Sequence, residues 1–125
     1  MGSNKILIVD DIFSNRLLLS STLESMGIKS ESVGDGQKAI KLLENEKFGM
    51  VFLDIEMPVM NGIETVRYIR REMPNLKDNL PIIALTAHNP TEYGEDINTA
   101  GFSEVVSKPY SVEKLSRLIK KYLEM

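Results

Sequence analysis

The sequence has no cysteine, no tryptophan and only one histidine. The chain can therefore form neither disulfides nor thiolate metal sites, and one histidine cannot build a histidine-rich metal centre. Its apolar runs fall far short of the ~20 residues that a membrane-spanning helix needs, so we predict no membrane insertion. The first residues also lack the basic and then apolar pattern of a signal peptide, which predicts a cytoplasmic protein.

Excess charge of one sign is also small, because 15 lysines and arginines oppose 18 aspartates and glutamates for a net charge of −3. That balance argues against a general surface for nucleic acid or anionic membranes. The 125 residues are enough for one domain with a real core. We predict a single domain over residues 5–125, with residues 1–4 as a disordered start or a cloning remnant.

What the chain does have is four short apolar runs, each followed by a side chain that can do chemistry. They are Ile6–Val9 before Asp10 and Asp11, Met50–Leu53 before Asp54, Ile82–Leu85 before Thr86, and Val105–Ser107 before Lys108. Taken alone, each polar residue has a simpler explanation as a turn, cap or solvated residue. All four at strand ends are much harder to explain without a shared site, since parallel strands place these ends at one sheet edge.

Helical patterns separate the apolar runs, and this alternation predicts an α/β fold of βαβ units with a mainly parallel sheet. The predicted strands are residues 5–10, 29–33, 49–54, 81–86 and 104–107. The polar segment 29–33 suits an edge strand better than a covered central strand. The fourth helix, about residues 90–100, is the weakest because Gly94, Asn98 and Thr99 lower its helix propensity.

Residues that favour helix ends and apolar stripes outline the helices. The predicted caps are Ser14, Asp35, Asn61 with Glu64 as a capping box, and Ser111, and Gly27 is expected to end the first helix. The side chains expected to face the core are Leu18, Leu19, Leu23 and Met26 in the first helix, Ala39, Ile40 and Leu43 in the second, Ile63, Val66 and Ile69 in the third, and Val112, Leu115, Leu118, Ile119, Tyr122 and Leu123 in the last.

The acidic strand ends predict a metal site. Ligands of open α/β sheets bind beyond the carboxyl ends of the strands, where the strand order reverses. If the strand order is 2-1-3-4-5, this reversal lies between the strands that end in Asp10–Asp11 and in Asp54. Two such carboxylates ~5 Å apart would repel by roughly 3 kcal/mol at an effective dielectric constant of about 20. A cation would relieve this repulsion, and oxygen ligands without histidine or cysteine favour Mg²⁺.

A phosphoryl group is the chemistry that this set suits. Mg²⁺ with Lys108 and Thr86 can hold a phosphoryl group by its oxygens. Asp54 can be the nucleophile, since carboxylates serve as covalent phosphate acceptors. No histidine base is needed, because a carboxylate is already ionised at neutral pH.

The same segments resemble the receiver domains of two-component response regulators. The matching segments, which run nearly from end to end, are Ile6–Asp11, Phe52–Gly62, Ala84–Ala87 and Ser107–Pro109. The resemblance implies the flavodoxin-like (CheY-like) fold of five βα units, a doubly wound parallel sheet of order 2-1-3-4-5. It also implies a phosphorelay domain that shifts between inactive and active conformations. Asn15-Arg16 and the segment ending in His88 favour receivers of hybrid sensor histidine kinases.

Carried over by position, the resemblance makes Asp54 the phosphoacceptor and a metal ligand, with Thr86 and Lys108 contacting the phosphoryl group. The remaining ligands of Mg²⁺ would be Asp11 directly, Asp10 through water and Glu56 through its backbone carbonyl. Other site residues would be Met57, Pro58, Gly62, Ala87 and Pro109, with a cis bond between Lys108 and Pro109.

The resemblance also implies partners and a limited activity. The phosphoryl donor would be a sensor histidine kinase or a histidine phosphotransfer protein. The domain would not be a conventional enzyme, since it would catalyse only its own phosphorylation and slow autodephosphorylation. A weak or phosphorylation-dependent dimer fits the family, and the charge balance predicts no direct nucleic-acid binding. With no output domain in these residues, the chain would be a stand-alone regulator or a fragment of a larger protein.

One departure from the family pattern concerns the switch. Family receivers often carry Tyr or Phe three residues before the strand-five lysine, and this chain has Val105 there. We therefore expect the switch to run through Thr86 and the weak fourth helix. Glu56 and His88 lie two residues beyond Asp54 and Thr86. We hypothesise that they set the lifetime of the phosphoryl group by screening or orienting the attacking water.

Three other functions can be weighed against this one. A flavodoxin-like electron carrier needs a hydroxyl- and glycine-rich phosphate loop where this chain has two carboxylates. A phosphohydrolase with an aspartyl nucleophile resembles Asp-x-Asp with a cap domain, whereas this chain has Asp54-x-Glu56 and no room for a cap. A receiver that only docks is disfavoured by the complete acidic set and the lysine.

Overall fold

A computed structural model describes residues 4–74, 76, 80–87 and 95–123. Strands and helices alternate along these residues. The strands are β1 (Ile6–Val9), β2 (Ser30–Val33), β3 (Met50–Asp54), β4 (Ile82–Thr86) and β5 (Glu104–Ser107). The helices are α1 (Phe13–Ser25), α2 (Gly36–Asn45), α3 (Gly62–Glu72), α4 (Glu95–Thr99) and α5 (Val112–Leu123). None of the helices described in these ranges is both long and apolar enough to cross a membrane.

The sheet has the predicted architecture. All strand pairs are parallel, and the order is β2-β1-β3-β4-β5. β1, β3 and β4 are buried along their whole length, and apart from the terminal Asp54 and Thr86 they are apolar, because they lie in the interior of the sheet with helices on both faces. The polar strand β2 lies at one edge, as predicted. Since β1 and β3 are paired neighbours, the residues that follow them lie side by side.

Alternating side chains of the strands form two separate core clusters, one on each face of the sheet. Leu7 and Val9 of β1 pack on the face that α2 and α3 cover. Ile6 and Ile8 pack on the opposite face, with Leu19 of α1 and side chains of α5. The sheet is therefore doubly wound, and its apolar interior leaves the carboxyl ends of the strands for polar residues.

Most of the predicted helix caps are confirmed. Asp35 accepts a hydrogen bond from Lys38 N at 2.8 Å. Asn61 and Glu64 form a capping box at the start of α3, and Ser111 Oγ accepts from Lys114 N at 3.0 Å. These side chains satisfy backbone N–H groups that have no partner inside the helix. Gly27 follows α1 with φ of 78°, a conformation that favours glycine at a helix end.

The predicted Ser14 cap is wrong. Ile12 occupies the cap position of α1, and it makes no side-chain cap bond. The helix begins at Phe13, so Ser14 lies inside its first turn. The Oδ1 atom of Asp10 instead accepts from Ile12 N at 2.9 Å, which ties the entry into α1 to the acidic strand end.

Two residues of the predicted apolar stripes are also misplaced. Leu18 is 68% exposed and Val112 is 60% exposed, whereas Leu19 and Leu23 are buried as predicted. Leu18 is misplaced because α1 has apolar residues around much of its circumference and only one side of the helix meets the sheet, whereas Val112 is the first residue of α5. Spacing alone did not identify that side. The buried residues of the second and third helices match the prediction.

The fourth helix is described only over Glu95–Thr99. Residues 88–94 lie outside the described part of the chain, so the predicted start near residue 90 and the role of His88 are not addressed by the structure. Ile97 is buried in the core cluster on the α3 face and holds this short helix against the sheet.

Candidate functional site

Three carboxylates meet at the carboxyl ends of β1 and β3. One oxygen atom from each of Asp10, Asp11 and Asp54 lies within 4.8 Å of the others. Asp10 and Asp54 are each only 3% exposed, whereas Asp11 faces solvent. Buried carboxylates at this separation repel each other, so the cluster is unfavourable in its ionised form without a compensating cation.

Lys108 supplies one positive charge at this cluster. Its Nζ atom lies 3.4 Å from Asp10 Oδ2 and 3.7 Å from Asp54 Oδ2. The lysine side chain is 22% exposed, so it is not the solvated loop lysine of the simpler explanation. Its backbone N–H donates to Thr86 O at 2.7 Å, which fixes the end of β5 beside the end of β4. The bond between Lys108 and Pro109 is cis, as the resemblance implied.

The acceptor candidate Asp54 has an unusual acidity. The pKa of Asp54 is raised from 3.8 to about 7, chiefly by burial and to a smaller extent by the charges of Asp10 and Glu56. Lys108 and the hydrogen bond from Glu56 N lower the pKa in part. The expectation of an ordinary, fully ionised carboxylate at neutral pH therefore does not hold for the metal-free site, because that expectation ignored burial.

The donor atoms of the cluster fit Mg²⁺. They are carboxylate oxygens from the described residues Asp10, Asp11 and Asp54. Mg²⁺ prefers oxygen ligands and retains several water molecules, which suits a cluster with one solvent-facing carboxylate. A divalent charge would also reverse the burial effect on Asp54 and favour its ionised form.

Thr86 and Ala87, at the end of β4, are joined to the loop after β3 through Glu56. The buried hydroxyl of Thr86 donates to Glu56 Oε2 at 2.8 Å. The backbone N–H of Ala87 donates to Glu56 Oε1 at 2.9 Å. The sequence interpretation considered the backbone carbonyl of Glu56 and its effect on water, and it missed this carboxylate contact. The only sequence signal for this contact is that Glu56 lies two residues after Asp54.

The loop after Asp54 follows a path that requires glycine. A Cβ atom on Gly62 would lie 2.5 Å from Asp54 O and 2.8 Å from Ile55 Cα. The close approach allows Gly62 N to donate to Ile55 O at 3.0 Å. Within this loop Met57 is buried and Pro58 is exposed. Gly62 therefore keeps the start of α3 against the backbone of the acceptor residue.

Arg16 is a second residue whose role the sequence interpretation missed. Its Nη1 atom donates to Asp10 O at 2.7 Å, and its guanidinium lies 5.6 Å from the Phe13 ring centre. In the sequence, the Asn15-Arg16 pair is only a likeness to the receivers of hybrid sensor histidine kinases. The contact shows that Arg16 fixes the turn that carries Asp10 and Asp11.

Comparison with known proteins shows which family this chain resembles. The family described as response regulator receiver domain matches residues 6–120. The chain is 34% identical over 119 residues to the sensor histidine kinase GacS of Pseudomonas protegens, and the match covers 94% of this chain and 13% of that protein. It is 35% identical over 116 residues to a probable chemotaxis protein CheY of Rhizobium etli, and this match covers 92% of this chain and 88% of that protein.

Solved structures agree with these sequence matches. The receiver domain of sensor histidine kinase PA1611 from Pseudomonas aeruginosa, with magnesium in its active site cleft, has a TM-score of 0.84 at 28% identity, covering 97% and 98% of the two chains. The receiver domain of Ssk1 from Saccharomyces cerevisiae, crystallised with the phosphotransfer protein Ypd1, has a TM-score of 0.85 at 27% identity, covering 97% and 89%.

The chain therefore belongs to the response regulator receiver domain family. Members of this family are signalling domains of two-component systems, in which receivers pair with histidine kinases or phosphotransfer proteins. The chain spans 13% of the GacS relative, so it corresponds to one domain of that protein.

Proposed function

We propose that Asp54 accepts a phosphoryl group from the phosphohistidine of a sensor histidine kinase or a histidine phosphotransfer protein. The observation that carries this proposal is the convergence of Asp54 with Asp10, Asp11 and Lys108 in one cluster. A carboxylate oxygen of Asp54 forms a bond to phosphorus while the phosphorus–nitrogen bond breaks. The imidazole nitrogen leaves with that electron pair and takes up a proton.

The neighbouring residues would assist this transfer by charge and by position. Lys108 Nζ, which faces Asp54 Oδ2, would bind the phosphoryl oxygens, and Thr86 would donate a hydrogen bond to them. Asp10, Asp11, Asp54 and the backbone carbonyl of Glu56 would hold Mg²⁺, which neutralises charge on the phosphoryl group when bound. The magnesium in the related receiver of PA1611 supports this assignment. In this proposal the domain catalyses only its own phosphorylation and slow autodephosphorylation.

Incubation with acetyl phosphate and Mg²⁺ tests the central step. We expect the intact mass to increase by one phosphoryl group, and the adduct to be absent in Asp54→Asn. Asp96→Asn is the matched control, since Asp96 is an exposed carboxylate on α4 that pairs with Arg67. It should react like the unaltered chain. An adduct that persists in Asp54→Asn, or no adduct in the unaltered chain, would contradict the proposal.

We further propose that the phosphohistidine-bearing partner docks on the exposed apolar side of α1. Phe13 and Leu17 lie one turn apart and are 67% and 53% exposed, and Leu18 beside them is 68% exposed. This surface follows directly after Asp10 and Asp11, so a protein seated on it would present its phosphohistidine to the acidic cluster. Exposed apolar patches of this kind often mark protein interfaces, and the Ssk1 receiver is a structural relative that was crystallised with a phosphotransfer protein.

The double substitution Phe13→Ser with Leu17→Ser should separate the two kinds of donor. We expect phosphorylation by a histidine phosphotransfer domain that acts on the unaltered chain to fall at least about tenfold. Phosphorylation by acetyl phosphate should stay unchanged, because this small donor needs no docking surface. Tyr68→Ser on α3, which is 41% exposed, is the control and should affect neither rate. An equal loss with both donors would count against docking.

A further inference from the structure

We infer that the Glu56 carboxylate is an internal latch that occupies the two hydrogen-bond donors at the end of β4 until a phosphoryl group displaces it. The donors are the Thr86 hydroxyl and the Ala87 backbone N–H. The identity of the displacing group rests on the proposed function, whereas the latch itself rests on the contacts of these residues. Glu56 is thereby a positioning residue for the phosphorylated state.

The geometry of the contact is that of a bound anion. Both oxygens of one carboxylate are engaged, Oε2 by Thr86 Oγ1 at 2.8 Å and Oε1 by Ala87 N at 2.9 Å. Hydrogen bonds to a charged acceptor are stronger than those between neutral groups. Thr86 is fully buried, so its hydroxyl cannot simply exchange this partner for bulk water. A phosphoryl oxygen presents the same negative acceptor to the same donors.

The backbone of the latch residue is anchored to the phosphoacceptor. Glu56 N donates to Asp54 Oδ1 at 3.2 Å. Ile55 N donates to Leu85 O at 2.9 Å, and Gly62 N donates to Ile55 O at 3.0 Å. A side chain one methylene shorter therefore cannot reach Thr86 by a simple backbone shift. Phosphorylation also adds negative charge beside the Glu56 carboxylate, which favours its departure.

Substitutions of Glu56 distinguish a latch from a simple effect of its charge. Glu56→Ala removes the carboxylate and Glu56→Asp keeps the charge on a shorter side chain. If the latch competes with the phosphoryl group, both variants should bind beryllofluoride with Mg²⁺ about tenfold more tightly than the unaltered chain. Glu56→Gln keeps the length but has one accepting oxygen, so its beryllofluoride affinity should lie between that of the unaltered chain and that of these two variants. A pure charge effect would leave Glu56→Asp unchanged and make Glu56→Gln resemble Glu56→Ala.

The NMR shift of the Ala87 amide proton reports the contact without any phosphoryl analogue. We expect this resonance to move upfield in Glu56→Asp and in Glu56→Ala, and to be unmoved in Glu24→Asp, which alters an exposed glutamate of α1. An Ala87 shift that does not respond in either variant would overturn the latch. So would beryllofluoride affinity that rises in Glu56→Gln and not in Glu56→Asp. If the unaltered chain binds no beryllofluoride, the proposed function fails, while the Ala87 shift still supports or overturns the contact.

Discussion

Replacing Lys108 with methionine should slow phosphorylation of Asp54 by about 100-fold, and it should tighten the binding of Mg²⁺ at the same time. The two effects have opposite signs because the lysine charge acts on different groups. Its Nζ lies 3.4 Å from Asp10 Oδ2 and 3.7 Å from Asp54 Oδ2, where it faces the charge that a phosphoryl group brings. Before transfer, the same ammonium group repels a divalent cation held by these carboxylates.

The comparison requires both measurements on the same variant. The rate is measured by intact mass with acetyl phosphate at saturating Mg²⁺, and Mg²⁺ affinity by calorimetric titration. Lys121→Met is the control, because Lys121 is an exposed lysine that pairs with Glu104 at 2.8 Å, and it should change neither quantity. A parallel loss of rate and Mg²⁺ affinity in Lys108→Met would indicate that the lysine only maintains the structure of the cluster.

The convergence of the acidic residues could be predicted because it depends on simple, local features. An apolar run of four or five residues predicts a buried strand. Parallel strands place their carboxyl ends at the same edge of the sheet, independently of the conformation of the loops. Asp10 and Asp54 thus lie near one another once the strand order implied by the resemblance places β1 beside β3. The caps Asp35 and Asn61 could be predicted for the same reason, since a cap bond involves only residues three positions apart.

The features that the sequence did not predict depend on side-chain direction or on burial. The Glu56 contact joins residues that are 30 and 31 positions apart, and it depends on how the loop after β3 turns. Leu18 and Leu19 are equally apolar, yet only the packing of α1 on the sheet decides which of them is buried. The raised pKa of Asp54 arises mainly from burial, which composition and spacing do not report.

Asp54→Asn should stabilise the metal-free domain above pH 7 by up to about 4 kcal/mol, and the stabilisation should vanish toward pH 4. The pKa of Asp54 is about 7 in the folded chain, whereas the ordinary pKa of 3.8 applies after unfolding. Between these two values the folded state binds more protons than the unfolded state, so stability falls as the pH rises. Asparagine is neutral at every pH and still offers an oxygen to Glu56 N. The variant therefore avoids the free-energy cost of ionising a buried carboxyl group.

Urea unfolding in the presence of EDTA, near pH 4 and near pH 8, measures the difference between the variant and the unaltered chain. Titrating groups remote from Asp54 are the same in both proteins, so their contributions cancel in the difference, whereas Asp10, Glu56 and Lys108 respond to the lost charge. Adding Mg²⁺ near pH 8 should stabilise the unaltered chain more than Asp54→Asn, because the metal needs the carboxylate that the variant lacks. Asp96→Asn, at an exposed site, should show no such pH dependence. An equal stabilisation by Asp54→Asn at both pH values would mean that packing, and not the buried charge of Asp54, limits the stability of this site.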